Sequence, residues 1–178
     1  MARLIQIQQD VQSRVESIAA LHGNWPCRKG CDDCCRNLAR EPRVSDEEWA
    51  LISSALQALP AEVAEAAHQR MRQPFERICP LLDRDAGACL IYEARPVVCR
   101  AYGFYAERGD VLGCGRIETV ARETSEIIWG NHAALMTRLE ELGNASRFSK
   151  LSARDTVQSS PNGPLPRAPF RRKDSSSD

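Results

Sequence analysis

Four cysteines fall within nine residues in "CRKGCDDCC": Cys27, Cys31, Cys34 and Cys35. Four more follow singly at Cys79, Cys89, Cys99 and Cys114, and residues 1–26 and 115–178 contain none. Thiols used only as small buried hydrophobes would not concentrate in this way. A disulfide framework needs an oxidising compartment, and nothing in the sequence targets the chain to one. The chemistry that calls for many thiols in one region is metal ligation, in which each thiolate must be reduced, deprotonated and close to the others. No Ser-His-Asp set, phosphate-binding loop or carboxylate pair accompanies them, so no catalytic residue is assigned.

Spacing refines this. If "PCRKGCDDCC" is helical, its cysteines fall at i, i+4, i+7 and i+8 and share one face within an arc of about 100°. Pro26 suits the first position of such a helix, whereas Gly30 argues against it; a looped cluster would gather the thiols with less control. Adjacent side chains diverge in helix and strand alike, so Cys34 and Cys35 are poorly placed to share one tetrahedral ion. They serve different metal atoms, or one is a ligand and the other its neighbour. The remaining ligands are expected from Cys79, Cys89, Cys99 and Cys114. Eight thiols would satisfy two tetrahedral zinc ions, or one [4Fe–4S] cluster with four left over, or a mixed pair. Neither the C-x2-C-x2-C-x3-C-P run nor the plant-type iron–sulfur spacing occurs. His22 and His132 lie outside the cluster and His68 sits on a helix; each is a weaker candidate ligand than any cysteine.

The second half of the cysteine region is the more specific. "CPLL" and "CLIYEARPVVCRAYGF", with "CRKGCDDCC" upstream, resemble the YkgJ-type cysteine-cluster family, small bacterial proteins described as zinc- or iron-chelating domains. The pattern C-x3-C-x2-C-C, then C-P, then C-x-I-Y-E-x-R-P-x-x-C-R matches at Cys27 to Cys35, at Cys79-Pro80 and at Cys89 to Arg100. The resemblance spans about residues 25–115 and implies metal chelation by the cysteines, with zinc and an iron–sulfur cluster both open. A similar cluster occurs in the larger flagellin lysine methylases, whose activity does not carry over to a chain of this length. Within the motif, Arg95 and Arg100 flank Cys99, where a cation lowers thiol pKa and offsets thiolate charge. Glu93 could pair with either arginine. Tyr92 and Tyr102 could cover the site or donate to ligand sulfur.

The elements that must position these residues are mostly helical. Leu4, Ile7, Val11, Val15, Ile18 and Leu21 form a stripe that predicts a helix over 2–22, stopped by Gly23 and Asn24. Ser45 and Glu48 form a capping box for a second helix buried through Trp49, Ile52, Leu56 and Leu59. Pro60 ends that helix and opens a third over 61–73, with Val63, Ala67 and Met71 inward. "DRDAG" between two apolar runs predicts a hairpin within 78–92. Pro96 pushes its predecessor out of the helical region and starts a short turn carrying Cys99 and Arg100. After a Gly-rich loop, a long helix is expected over 117–142, bent or interrupted at Gly130.

The last 35 residues, 144–178, carry seven Lys or Arg against three Asp among many Ser and Pro, and read as a disordered, solvated basic tail rather than a nucleic-acid arm. For the whole chain, Lys plus Arg and Asp plus Glu are both 24, so no global charge draws it to nucleic acid or anionic lipid. Aromatics are only 6%, too few for a base-stacking surface. No apolar run approaches the ~20 residues of a membrane span, and the N-terminus alternates too early for a signal peptide. A cytoplasmic location is expected. The expected architecture is mainly α: a small helical domain, 1–143, around a cysteine-rich metal centre with a short hairpin or irregular segment. The expected function is thiolate binding of zinc or an iron–sulfur cluster with a redox or metal-handling role; the alternative is a zinc-stabilised structural or interaction module without catalysis. No protein partner is identified.

Overall fold

The computed structural model describes residues 1–124, 126–143 and 146–148. Among them are seven α-helices and seven strands of two or three residues each, so the chain is mainly helical. The elements divide between two apolar clusters, and the cysteine segments run along both.

The first cluster is built on α1 (Ala2–Leu21), whose three-and-four spacing buries Leu4, Ile7, Val11 and Ile18. The stripe ends there: Leu21 is exposed, so its place in the predicted face is corrected. Helix α1 packs on α5 (Val97–Ala101) and α7 (His132–Glu140). Trp25 lies against Phe104 and Trp129, with ring centroids 5.7 and 5.8 Å away. The second cluster gathers α3 (Asp46–Gln57) and α4 (Ala61–Arg72) around Ile52, Leu56, Ala67 and Met71, with Leu81, Leu82 and Ile91. Leu59 and Val63 are only partly buried.

Local signals explain most boundaries. The capping box is present: Ser45 Oγ accepts from Glu48 N at 3.2 Å and Glu48 Oε2 accepts from Ser45 N at 2.9 Å. Pro60 and Pro96 occupy the N-cap positions of α4 and α5, and Arg95, before Pro96, is extended (φ −60°, ψ 144°) as proline sterics require. The hairpin of β2 (Leu82–Asp83) and β3 (Ala88–Cys89) is antiparallel. Asp83 Oδ1 closes its turn by accepting from Asp85 N at 3.1 Å and Ala86 N at 3.0 Å, the local competition that makes Asp a turn residue.

One further expectation is corrected. The single long helix over 117–142 is two, α6 (Gly115–Glu123) and α7, joined through β6 (Gly130–Asn131). Gly130 leaves helical conformation to pair in parallel with Tyr105 of β4 (Tyr105–Glu107). A Cβ there would stand 2.5 Å from the Tyr105 ring, so only glycine admits this approach. The Gly-rich stretch before α6 begins in a hairpin. β4 returns through Arg108 (φ 53°) and Gly109 (φ 93°) to β5 (Asp110–Val111), a two-residue turn with both central φ positive.

Strand β1 (Arg43–Val44) pairs antiparallel with β7 (Ser146–Arg147), and Phe148 is buried against Trp49. Residues 146–148 thus join the folded part, and the rest of the tail reading for 144–178 lies outside the described residues. No helix among the described residues is long and apolar enough to cross a membrane.

Candidate metal centre

The segment from Cys27 to Cys35 is not the helix that would have put four thiols on one face. Only α2 (Asp33–Arg36) is helical. Gly30 takes φ +90°, and Cys31 N donates to Arg28 O at 3.0 Å in a tight turn. A positive φ ends right-handed helix, so the looped arrangement is realised and distant segments set the thiol positions.

Three sets of contacts tie this loop to the other cysteines. Cys27 Sγ donates to Tyr102 O at 3.4 Å and lies over Gly103, where an added Cβ would meet Cys27 Cβ at 3.0 Å and Sγ at 3.1 Å. Gly103 (φ +87°) is held by its N–H donating to Leu112 O at 2.6 Å. Cys114, the N-cap residue of α6, has its Sγ 4.0 Å from Asp33 Oδ2, and Arg116 pairs with the same carboxylate at 2.9 Å. On the other side, Cys79 N donates to Cys35 O at 2.7 Å, and Leu82 N donates to Cys79 O at 3.1 Å. Cys89 sits in β3 opposite Leu82. Arg36 anchors the loop to the β2–β3 turn by donating to Arg84 O at 3.1 Å while it pairs with Asp32 at 2.6 Å.

All eight thiols are free. Cys79 is buried and the other seven are half-buried. Cys34 and Cys35 Sγ are 4.0 Å apart, and that contact keeps the proton on Cys34, whose pKa rises with help from burial. The same contact holds Cys35 down, but its bond to Cys79, burial and the charges of Cys79 and Cys89 outweigh it and push Cys35 up to about 12. Burial, with the charges of Cys34 and Cys31, pushes Cys27 up to about 12. Burial raises Cys99 and Cys89, helped by neighbouring thiolates. Cys27, Cys34, Cys35, Cys89 and Cys99 are therefore held toward their neutral form by burial and by neighbouring thiols. Among the described residues, no three His, Cys, Asp or Glu side chains are arranged so that they could hold one ion as they stand. The donor type fits a thiophilic ion or cluster: each of the eight sulfurs lies within electrostatic reach of at least one other, and thiolates suit zinc and iron–sulfur alike.

The residues around the sulfurs are partly those expected. Arg95 opposes the upward shift of Cys27, Cys89 and Cys99. Its guanidinium stacks on Tyr92, 4.0 Å from the centroid, and its buried Nε has no hydrogen-bond partner among the described residues. Arg100 turns to backbone, its Nε donating to Arg95 O at 3.0 Å and its Nη2 to Glu93 O. The Glu93 carboxylate pairs instead with Lys29 at 2.9 Å, between exposed side chains. Tyr102 is close enough that burial and the Cys34 and Cys114 charges raise its hydroxyl pKa. His132 is engaged by Glu107 at 2.9 Å and His22 lies against Trp25.

Three contributors were not apparent in the sequence. Asp33 holds α6, and hence Cys114, on the loop. Gly103 gives Cys27 its seat. Buried Glu48 reaches beyond its capping box: its Oε1 accepts from Val97 N at 2.9 Å, fixing the start of the helix that carries Cys99. The acidic pair in "CDDCC" was the one visible sign of Asp33; Glu48 was marked only as a capping residue, and nothing local marked Gly103.

The loop, the hairpin cysteines and the α6 cap all fall within one region that matches a family. Residues 26–132, more than half of the chain, match CxxCxxCC, the "Putative zinc- or iron-chelating domain". The chain belongs to this YkgJ-type family. The CxxCxxCC match takes in every cysteine and runs on to the start of α7. A comparison with curated proteins found no match, and neither did one with solved structures.

Proposed function

We propose that the protein binds zinc or an iron–sulfur cluster through Cys27, Cys31, Cys34, Cys35, Cys79, Cys89, Cys99 and Cys114, and serves a redox or metal-handling role. The observation that carries this reading is the convergence of Cys79, Tyr102 and Cys114 onto the Cys27–Cys35 segment from separate parts of the chain. Thiolate ligands suit both kinds of centre; zinc would supply a fixed cation, and a cluster would add electron transfer. The residues of this chain would exclude water through the two apolar clusters and oppose thiolate charge through Arg95. Elemental analysis of anaerobically purified protein, with a visible spectrum, tests it. Iron, sulfide and brown colour point to a cluster, and colourless protein with stoichiometric zinc to zinc. Protein that binds neither metal overturns the proposal.

A purely structural metal is favoured by one observation. Short strands and loops link the two apolar clusters, and cysteines pack at the margins of both. In that case, chelation should unfold the domain, seen as loss of helical circular dichroism. Chelator-treated protein that keeps its signal argues against it.

A further inference from the structure

Cys35 and Cys79 are far apart in the chain, but the fold clamps them together. Cys79 N donates to Cys35 O at 2.7 Å and Leu38 N donates to Arg77 O at 2.7 Å, so two backbone bonds hold residues 35–38 against 77–79. With standard backbone dimensions, the first of these bonds keeps the two cysteine Cα atoms within about 6.6 Å of each other. Disulfide-bonded residues have Cα atoms about 4.4–6.8 Å apart, so the backbone already stands where a bridge needs it. Both side chains pack in the second apolar cluster, and the Cys79 thiol bonds to that of Cys35. The competing pair is Cys34 and Cys35, whose Sγ atoms are 4.0 Å apart. Neighbouring Cα atoms are only about 3.8 Å apart, short of the disulfide range, and both residues lie within α2, which a vicinal bridge would distort.

Cys79 can also be reached from outside. It lines a cavity of about 420 Å³ with Met71, Phe75, Ile78 and Pro80, and Cys35 is not among the lining residues. A cavity of that size admits a small molecule. We propose that Cys35 and Cys79 form a reversible disulfide with a low-molecular-weight disulfide as oxidant, Cys79 reacting first through this cavity and Cys35 resolving. In the first step the Cys79 sulfur attacks one sulfur of the entering RSSR. A Cys79–SR bond forms, the RS–SR bond breaks, and one RSH leaves with the Cys79 proton. In the second step Cys35 attacks the Cys79 sulfur, the Cys35–Cys79 bond forms, and the second RSH leaves with the Cys35 proton. Two protein thiols are oxidised and one RSSR is reduced to two RSH. Cys35, held toward its neutral form, is the poorer nucleophile toward a free reagent, but its place beside Cys79 makes its own step intramolecular. Both residues belong to the ligand set of the reading above, and on that reading the bridge withdraws two ligands and releases metal.

The test treats the reduced, metal-free full-length chain with hydroxyethyl disulfide under anaerobic conditions, followed by acid quenching, alkylation of free thiols and peptide mapping by mass spectrometry. At completion the dominant internal bridge should join Cys35 to Cys79, and of these two residues Cys79 should carry the early mixed disulfide. Cys35→Ser should hold the reagent on Cys79, and Cys79→Ser should leave Cys35 unmodified over the time in which the native chain bridges. A dominant bridge between any other pair, or no internal bridge, overturns the proposal. An early adduct on Cys35 rather than Cys79 overturns the cavity as its entrance. Should a variant lose its helical circular dichroism, the early adduct and final bridge of the native chain decide. Zinc-loaded native chain tests the coupling: zinc released to a chromogenic chelator as the bridge forms supports it, and a bridge formed with all zinc retained overturns it. A native chain that bridges but binds neither zinc nor iron overturns the metal-binding reading and leaves the redox pair standing.

Discussion

Gly103→Ala isolates the seat of Cys27 if it is compared with Gly109→Ala. The two glycines have nearly the same backbone, φ +87° and +93°, and an alanine at either carries a left-handed cost of ~1–2 kcal/mol. They differ in what the new methyl meets: nothing within 4 Å at Gly109, but Cys27 Cβ at 3.0 Å and Sγ at 3.1 Å at Gly103. Sγ is the end of its side chain, but Cβ is fixed to the backbone, so the Cys27 backbone must give by a few tenths of an ångström. Overpacking of that kind costs about 1–3 kcal/mol. Gly109→Ala should therefore lose ~1–2 kcal/mol and Gly103→Ala about 2–5 kcal/mol in urea denaturation. The more telling readout is metal content: Gly109→Ala should keep the native stoichiometry, and Gly103→Ala should lose metal because the proposed ligand Cys27 has been displaced. Equal destabilisation and equal metal content in the two variants would refute the placement of Cys27 against Gly103.

Gly130→Ala would drive its methyl to 2.5 Å from the buried Tyr105 ring and break the β4–β6 pairing. A loss of about 3 kcal/mol is expected from overpacking, measured by urea denaturation, and a loss below 1 kcal/mol would contradict the packing. Glu48→Ala should cost more than Ser45→Ala: Ser45→Ala removes a cap worth ~1 kcal/mol, whereas Glu48→Ala also strands the Val97 N–H, a further ~1–3 kcal/mol. The order is checked by thermal denaturation. In metal-free, reduced protein the raised thiols make stability fall in alkali. Unfolded thiols ionise near ~8.5, while Cys27 and Cys35 hold their protons up to about 12. Between those limits the unfolded chain releases protons that the folded chain keeps, so stability drops by ~1.4 kcal/mol per pH unit for each such thiol. Below ~8.5 both states keep the proton and this contribution is flat. The melting temperature in chelator and reductant should therefore decline from pH 8.5 to 10, and a rise over that range would be inconsistent with these buried thiols.

Periodicity, caps and turn chemistry are local, and they made α1, α3, α4, α5 and the β2–β3 hairpin legible in the sequence. Each is decided by interactions within a few residues: a three-and-four apolar stripe, the Ser45–Glu48 box, Pro60 and Pro96 at helix starts, Asp83 and Gly87 in a turn. The cysteine motif was legible for the same reason, since residue types and spacing specify a thiolate donor set and the family. What sequence could not decide was where backbone conformation answers to a distant partner. Gly130 reads as a helix interruption, but the face of Tyr105 makes it a strand. Gly30 lies in a stretch that spacing alone would make helical, and its positive φ makes a loop. Ser146–Phe148 reads as the start of a polar tail, yet β1 and Trp49 hold it in the fold. The sequence by itself determined that eight thiols are present and that four of them fall within nine residues. Only the tertiary structure decided which sulfurs are neighbours. Those neighbours are set by long-range contacts, Cys27 with Gly103, Cys114 with Asp33 and Cys35 with Cys79, and spacing along the chain carries no information about them.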